Sequence, residues 1–198
     1  MDWKKETLDF YDQNAEEFAS GTVTADMSEA RTRFALCLPA NGMILDLGCG
    51  SGRDTKEFLD AGFRVEAMDG SEELCALASA YTGIRVKRML FSELDARERY
   101  DGIWACASLL HLPRTDLAEI IGKTEEALKH GGVLYASFKY GDYEGMRNGR
   151  YFTDFTEKSL PAFWERFPEL KILDCRISQD VRSDQKERKW ISLLARRI

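Results

Sequence analysis

Short apolar runs alternating with helical patterns predict an α/β fold built from βαβ units, with a mostly parallel sheet and helices on both of its faces. The strand candidates are Met43 to Leu47, Arg64 to Met68, Ile84 to Lys87, Gly102 to Cys106 and Val133 to Phe138. Between them, Asp54 to Ala61, Glu72 to Tyr81 and Thr115 to Lys129 carry apolar residues at helical spacing, the last with Leu117, Ile120, Ile121 and Leu128. Ahead of the first strand, Lys4 to Phe18 and Met27 to Leu38 read as helices, the second closed by Pro39 and the Asn41-Gly42 turn. After the fifth strand come an irregular stretch from Gly141 to Thr153, a helix from about Glu157 to Phe167, a strand from Leu170 to Ser178 and an alternating run from Trp190 to Ala195. The last two predict an antiparallel hairpin that closes the sheet. In such sheets ligands bind beyond the carboxyl ends of the strands, near the switch in strand order, so functional residues are expected just after each strand.

The 198 residues are 44% hydrophobic and 31% charged with only 4 Pro, which is the composition of a chain that builds a core. One domain over 1–198 is expected, with 1–40 as an N-terminal helical cap and 141–153 as a loop on the substrate side. The net charge of −6 has the wrong sign for attraction to phosphate backbones or anionic lipid, so neither nucleic acid nor membrane is an expected partner. Seven basic against three acidic residues from Arg176 to Ile198 read as a solvated face of alternating strands. Cys37, Cys49, Cys75, Cys106 and Cys175 show no C-x-x-C spacing, which points to neither a disulfide framework nor a zinc site, and no metal is expected. Asp2, Glu6 and Asp9 interrupt any secretory signal, and no run approaches the ~18 apolar residues of a membrane span. The expected setting is the reduced cytoplasm, with a monomer or a homodimer.

The most informative segment is Met43-Ile44-Leu45-Asp46-Leu47-Gly48-Cys49-Gly50-Ser51-Gly52-Arg53-Asp54-Thr55. A strand running into alternating glycines and then a helix lets backbone approach a ligand closely and presents free N–H groups. A dinucleotide fingerprint needs G-x-G-x-x-G, but Arg53 stands at the last position, and Asp46 just before the loop disfavours a pyrophosphate while suiting an ammonium-bearing ligand. A nicotinamide cofactor is therefore disfavoured. Asp69 ends the second strand, about 20 residues past the loop, where an acid is suited to bind ribose hydroxyls. The pair implies a nucleoside ligand.

These residues carry a resemblance. Ile44 to Gly52 together with Met68-Asp69 look like the first two motifs of the class I S-adenosylmethionine-dependent methyltransferases. Phe10 to Phe18 is similar to the leading helix of their small-molecule members, Tyr100 to Ala105 through Leu109-Leu110-His111-Leu112-Pro113 to their fourth-strand motif, and Ala127-Leu128-Lys129-His130-Gly131-Gly132 to their turn into strand five, with His130 in place of the usual proline. The resemblance covers roughly 8–140. It implies a Rossmann-like seven-stranded sheet and S-adenosyl-L-methionine as cofactor. Gly48, Gly50 and Gly52 would pack against the methionine part, Asp46 would order the loop, and Asp69 would bind the ribose, with Tyr11, Gly70 and Ala105 also at the cofactor. Many members carry an acid beside the adenine after strand three. Here Met89, Leu90 and Phe91 stand instead; Leu90 is read as packing on the ring, with Met89 and Phe91 as alternatives.

Methyl transfer from a sulfonium needs mainly proximity, alignment and desolvation, and a base only when the acceptor is protonated. His111, just beyond the fourth strand, is the candidate catalytic base and a candidate acceptor contact. Ala105-Cys106-Ala107-Ser108 lacks the motif of exocyclic-amine enzymes, and Cys106 does not follow a proline as in cytosine-C5 enzymes. Lys139, Tyr140, Arg150 and Tyr151 are candidate acceptor residues, since cations among aromatic neighbours suit a small anionic or aromatic molecule. The expected function is methyl transfer to a small molecule. The alternatives are an RNA or protein methyltransferase and a non-catalytic module that binds the cofactor.

Overall fold

A computed structural model describes residues 2–182 and 187–198. Three helices, α1 (Trp3–Gln13), α2 (Ala15–Thr22) and α3 (Ser28–Ala35), precede β1 (Met43–Leu47). The chain then alternates through α4 (Arg53–Asp60), β2 (Arg64–Asp69), α5 (Glu72–Thr82), β3 (Lys87–Arg88), β4 (Tyr100–Ala105), α6 (Arg114–Ala127) and β5 (Leu128–Lys139). It closes with β6 (Glu144–Arg147), β7 (Arg150–Thr153), α7 (Ser159–Trp164), β8 (Leu170–Gln179) and β9 (Lys189–Arg197). One seven-stranded sheet has the order β3-β2-β1-β4-β5-β9-β8, and β6 and β7 form a separate pair. The first five strands are parallel, while β9 runs antiparallel to both β5 and β8. The chain winds outward from β1 in both directions, so the crevice beyond β1 and β4 is the switch point.

Alternation along the strands decides which face each side chain fills. Leu45, Leu47, Ile103, Ala105, Leu134, Ala136 and Phe138 pack on one side with Leu117, Ile120 and Ile121 of α6 and with Leu160, Phe163 and Trp164 of α7. Their neighbours Ile44, Trp104, Val133 and Tyr135 face the other side, against Phe34 of α3 and Phe58 of α4. Each large aliphatic chain so buried contributes about 1.5–3 kcal/mol. The expected hairpin at the end of the sheet is present, as β8 and β9.

Four elements depart from the sequence reading. The long first helix breaks at Asn14, whose Nδ2 donates to the Phe10 carbonyl at 2.7 Å and so competes with the helical ladder. The third strand is confined to Lys87–Arg88, because α5 ends on left-handed Gly83 and the Val86 N–H donates to Ser79 Oγ at 3.0 Å, holding 83–86 to the helix. The fifth strand starts early, since α6 runs straight into Leu128, which pairs with Tyr100 before a register shift. The stretch 141–153 is not irregular: β6 and β7 form a hairpin whose turn, Asn148-Gly149, has φ of +52° and +75°. That is the Asn-Gly signature of a two-residue hairpin turn. The basic C-terminal reading includes Asp184 and Lys186, which lie outside the described residues. No helix among the described residues is long and apolar enough to cross a membrane.

Candidate functional site

One cavity of about 1330 Å³ opens beyond the carboxyl ends of the parallel strands. Its first half is made by the glycine loop. After β1, Gly48 (φ +81°), Gly50 (+55°) and Gly52 (+78°) all adopt the left-handed region. The N–H groups of Gly48 and Cys49 donate to the Met68 carbonyl at 2.9 and 3.0 Å, which ties the loop to β2. A Cβ on Gly52 would lie 2.8 Å from Thr82 Cγ2 and 3.1 Å from Ala78 Cβ, so this glycine lets α4 seat on α5. A Cβ on Gly50 would stand 3.1 Å from Phe18 Cε1, in the gap between the loop and the N-terminal cap. Gly48 and Gly50 line the cavity, whereas Gly52 lies behind the loop and Ala105 is fully buried in the sheet.

Asp69 is held in place by backbone N–H groups. Its Oδ2 accepts from the Gly50 N–H at 2.9 Å and its Oδ1 from the Ser71 N–H at 3.0 Å. Burial lifts its carboxyl above the usual range, and those N–H groups oppose the lift. Each oxygen keeps a further lone pair for an incoming hydroxyl. Asp46 lies under the loop, buried, and accepts from Thr55 Oγ1 at 2.6 Å. Burial, and then the charge of Asp54, push its carboxyl up to about 7. Beyond β3, Met89, Leu90 and Phe91 all line the cavity, with Gly70 between Leu90 and Leu8 of α1.

The second half is made of side chains. His111 stands on a short 3-10 turn, Leu109–His111, after β4. Its Nδ1–H donates to the Tyr151 carbonyl at 2.6 Å, which leaves Nε2 as acceptor for the Tyr11 hydroxyl at 2.7 Å. Burial, helped by the charges of Arg150, Lys139 and Arg147, brings its imidazole down to about 3. Burial also raises the Tyr11 phenol, so the proton stays on Tyr11. Lys139 ends β5 with Nζ 4.5 Å from the Trp190 ring centre and 5.8 Å from that of Phe152. Burial, then the charges of Arg188 and Arg147, lower its ammonium to about 8. The Arg150 guanidinium lies 4.2 Å from the centre of Phe10 and 5.3 Å from that of Phe152.

The structure therefore brings Tyr11, Asp46, Gly48, Gly50, Asp69, Gly70, Met89, Leu90, Phe91, His111, Lys139, Tyr140 and Arg150 to one cavity. Tyr140 turns its hydroxyl away to donate to Glu157 at 2.6 Å. Tyr151 is absent from the lining and serves through its carbonyl, its ring packed on Trp3.

Sequence reasoning missed three groups. Leu8 and Phe18 reach the cavity from α1 and α2, and their only signal is the apolar stripe of the cap. Arg53 also lines it and donates to Asp54 through Nε at 3.0 Å and Nη2 at 2.6 Å; Asp54 further accepts from Arg31 Nη1 at 2.7 Å and Trp104 Nε1 at 2.9 Å. These bonds hold the Asp54 carboxyl below its usual range against the cost of burial. An acid in the first turn of α4 is a visible helix-start signal, but nothing in the residue order indicates its buried partners. Third, Arg176 to Arg182 and Glu187 to Trp190 rim the β5 end, because β8 finishes, and β9 begins, where the parallel strands finish. Cys106 is inert here: burial pushes its thiol up to about 12.

Comparison with known proteins agrees with this geometry. Residues 44–132 match a family model described as a methyltransferase domain. A ubiquinone biosynthesis O-methyltransferase of Bradyrhizobium sp. (strain ORS 278) is 30% identical over 99 residues, 48% of this chain and 38% of that protein. An N-terminal Xaa-Pro-Lys N-methyltransferase 1 of Danio rerio is 32% identical over 113 residues, covering 53% of this chain and 50% of that protein. The chain spans about half the length of the curated relatives it matches. In fold it is similar to the Burkholderia thailandensis 1,6-didemethyltoxoflavin-N1-methyltransferase, crystallised with 1,6-didemethyltoxoflavin and S-adenosylhomocysteine, with a TM-score of 0.76 and 24% identity over 96% of this chain and 84% of that one. The glycine loop and Asp69 at the switch point, the domain match over residues 44–132 and the shared architecture agree on a Rossmann-like methyltransferase fold.

Proposed function

We propose that the chain transfers a methyl group from S-adenosylmethionine to a small-molecule acceptor in the cytoplasm, without a nucleic-acid or membrane partner. The observation that carries this reading is the continuity of the cavity. A backbone-lined, acid-bearing half and an aromatic, cationic half share one enclosure, so a donor and an acceptor can meet in it. The residues present fit the cofactor. The loop has no Cβ at Gly50 to bar close approach, Asp69 keeps free lone pairs for ribose hydroxyls, and Leu90 offers an apolar face, flanked by Met89 and Phe91.

When bound, the cofactor supplies a methyl group already activated by the positive charge of its sulfur. The chain's own contribution is to bind, align and exclude water. In this reading His111 is not a direct base. Its Nε2 is occupied by the Tyr11 hydroxyl, and a ring that protonates only near pH 3 is a poor proton sink. Instead it fixes the direction of the Tyr11 hydroxyl, whose oxygen accepts from Arg150 Nη1 at 3.5 Å. The cationic lining favours a small acceptor with negative character over a lysine-rich peptide, despite the similarity to a protein N-methyltransferase. The test is calorimetry with S-adenosylmethionine, S-adenosylhomocysteine and NAD in parallel, followed by a labelled-methyl screen of small acceptors with a peptide arm. Binding of the first two, with NAD silent and transfer to small molecules, is expected. NAD binding alone, or transfer only to peptide, overturns the reading.

A further inference from the structure

Three cations surround one aromatic ring at the acceptor end. Arg147, Arg150 and Lys139 lie 4.5, 5.3 and 5.8 Å from the centre of Phe152, and His111 packs against the same ring at 4.8 Å. Nearby carboxylates are committed elsewhere. Asp154 accepts both Arg147 Nη groups at 3.2 and 3.1 Å. Asp180 takes Arg182 and the Trp190 indole, and Glu144 takes Arg114. Among the described residues no carboxylate forms an ion pair with Lys139 or Arg150. Among the described residues the Arg150 Nε, buried, has no hydrogen-bond partner, and its Nη1 reaches only the Tyr11 hydroxyl, at 3.5 Å. Half-buried cations left without an ion pair are costly, and an anion arriving beside them lowers that cost.

We propose that the methyl acceptor carries a carboxylate on a planar ring or short apolar body, and that Lys139 and Arg150 hold this carboxylate while Phe152 and Trp190 enclose the body. The inference rests on the methyltransferase reading. Arg150 supplies a planar fork suited to two carboxylate oxygens, and Lys139 supplies a point charge from the opposite strand end. The cofactor has a carboxylate of its own, so the same chemistry has two sources. The acceptor is favoured by position. Lys139 ends β5, two strands from β1 on the side away from β2 and β3, where Asp69 and Met89 to Phe91 lie, and neighbouring strands are ~4.8 Å apart. Arg147, already paired with Asp154, sets the field without binding directly.

The experiment uses the full chain loaded with S-adenosylhomocysteine and, as probes, benzoate and its neutral isostere benzamide, followed by calorimetry. Benzoate is expected to bind at least tenfold more tightly than benzamide. Lys139→Gln and Arg150→Gln should each weaken benzoate tenfold or more, Arg150→Lys should retain part of the affinity, and S-adenosylhomocysteine affinity should stay within about threefold in all variants, which also reports that they fold. Equal binding of the two probes, or no benzoate binding to the loaded native chain, overturns the proposal. So does a parallel loss of S-adenosylhomocysteine affinity in the glutamine variants, which would assign the cations to the cofactor's carboxylate. Failure of the native chain to bind S-adenosylhomocysteine at all is a separate result, and it removes the methyltransferase reading beneath.

Discussion

At the β1 end of the cavity a ligand meets backbone: Gly48 and Gly50 in left-handed conformations, the loop tied to β2 through the Met68 carbonyl, and Asp69 fixed by two N–H groups. At the β5 end it meets side chains drawn from α1, the turn after β4, the β6–β7 hairpin and β9, with Lys139 and Arg150 stacked on aromatic rings. The first half is fixed by φ angles and strand register and barely depends on what fills the rest of the cavity. The second is held by charge and ring contacts that substitutions can alter one at a time, so one scaffold can keep a donor while the acceptor varies.

Breaking the backbone half should have the largest effect. Gly50→Val places a β-branched residue at φ +55° with its Cβ 3.1 Å from Phe18 Cε1, and we expect it to abolish S-adenosylhomocysteine binding in calorimetry. Native affinity in a folded variant would make the loop merely structural. Asp69→Ala should cost about 1.5–3 kcal/mol of cofactor affinity by removing charge-assisted hydrogen bonds to ribose, with a smaller fall in Tm from the lost Gly50 and Ser71 bonds. Unchanged affinity would sink the ribose assignment.

The Tyr11–His111 pair joins the halves and should show a smaller loss. If His111 only positions Tyr11, His111→Ala and Tyr11→Phe should each slow single turnover about tenfold, and the double variant should be no slower than either single one. The native pH–rate profile should then show no ionisation of His111 between pH 5 and 9, its imidazole titrating near 3. A neutral-pH ionisation lost in His111→Ala would restore it as the base. The same shift gives a stability sign. The folded imidazole titrates below its unfolded value of 6.5, so its contribution is full above pH 6.5 and is lost as pH falls from there toward 3.

The smallest effect sharpens the role of Asp46. Its carboxyl is pushed up to about 7, and a positively charged cofactor bound beside it would favour the ionised form. Binding of S-adenosylmethionine at pH 7 should release about half a proton, read as a dependence of binding enthalpy on buffer ionisation enthalpy. Asp46→Asn should remove that dependence, and a native enthalpy independent of buffer would contradict the assignment.

The same contrast explains what is legible in the sequence. The glycine loop is contiguous, Asp69 follows it at a fixed remove, and the βαβ pattern orders the five parallel strands, so residue order alone reveals the first half. Asn148-Gly149 is a readable hairpin signal inside a stretch whose flanks lack clear strand periodicity. The contraction of β3 depends on a Ser79 hydroxyl competing for a strand N–H, a tertiary choice that periodicity does not encode. The β5–β9 register brings Lys139 to Trp190, and the packing of α1 on β7 brings Arg150 to Phe10; both join residues far apart in the chain.

Amide hydrogen exchange with and without S-adenosylhomocysteine tests the division most directly. Slowed exchange is expected at the loop around Gly48 to Ser51, at Asp69 to Ser71 and at Met89 to Phe91, with little change from Lys139 to Tyr151. Protection concentrated on Lys139 to Tyr151, with the glycine loop unaffected, would contradict it.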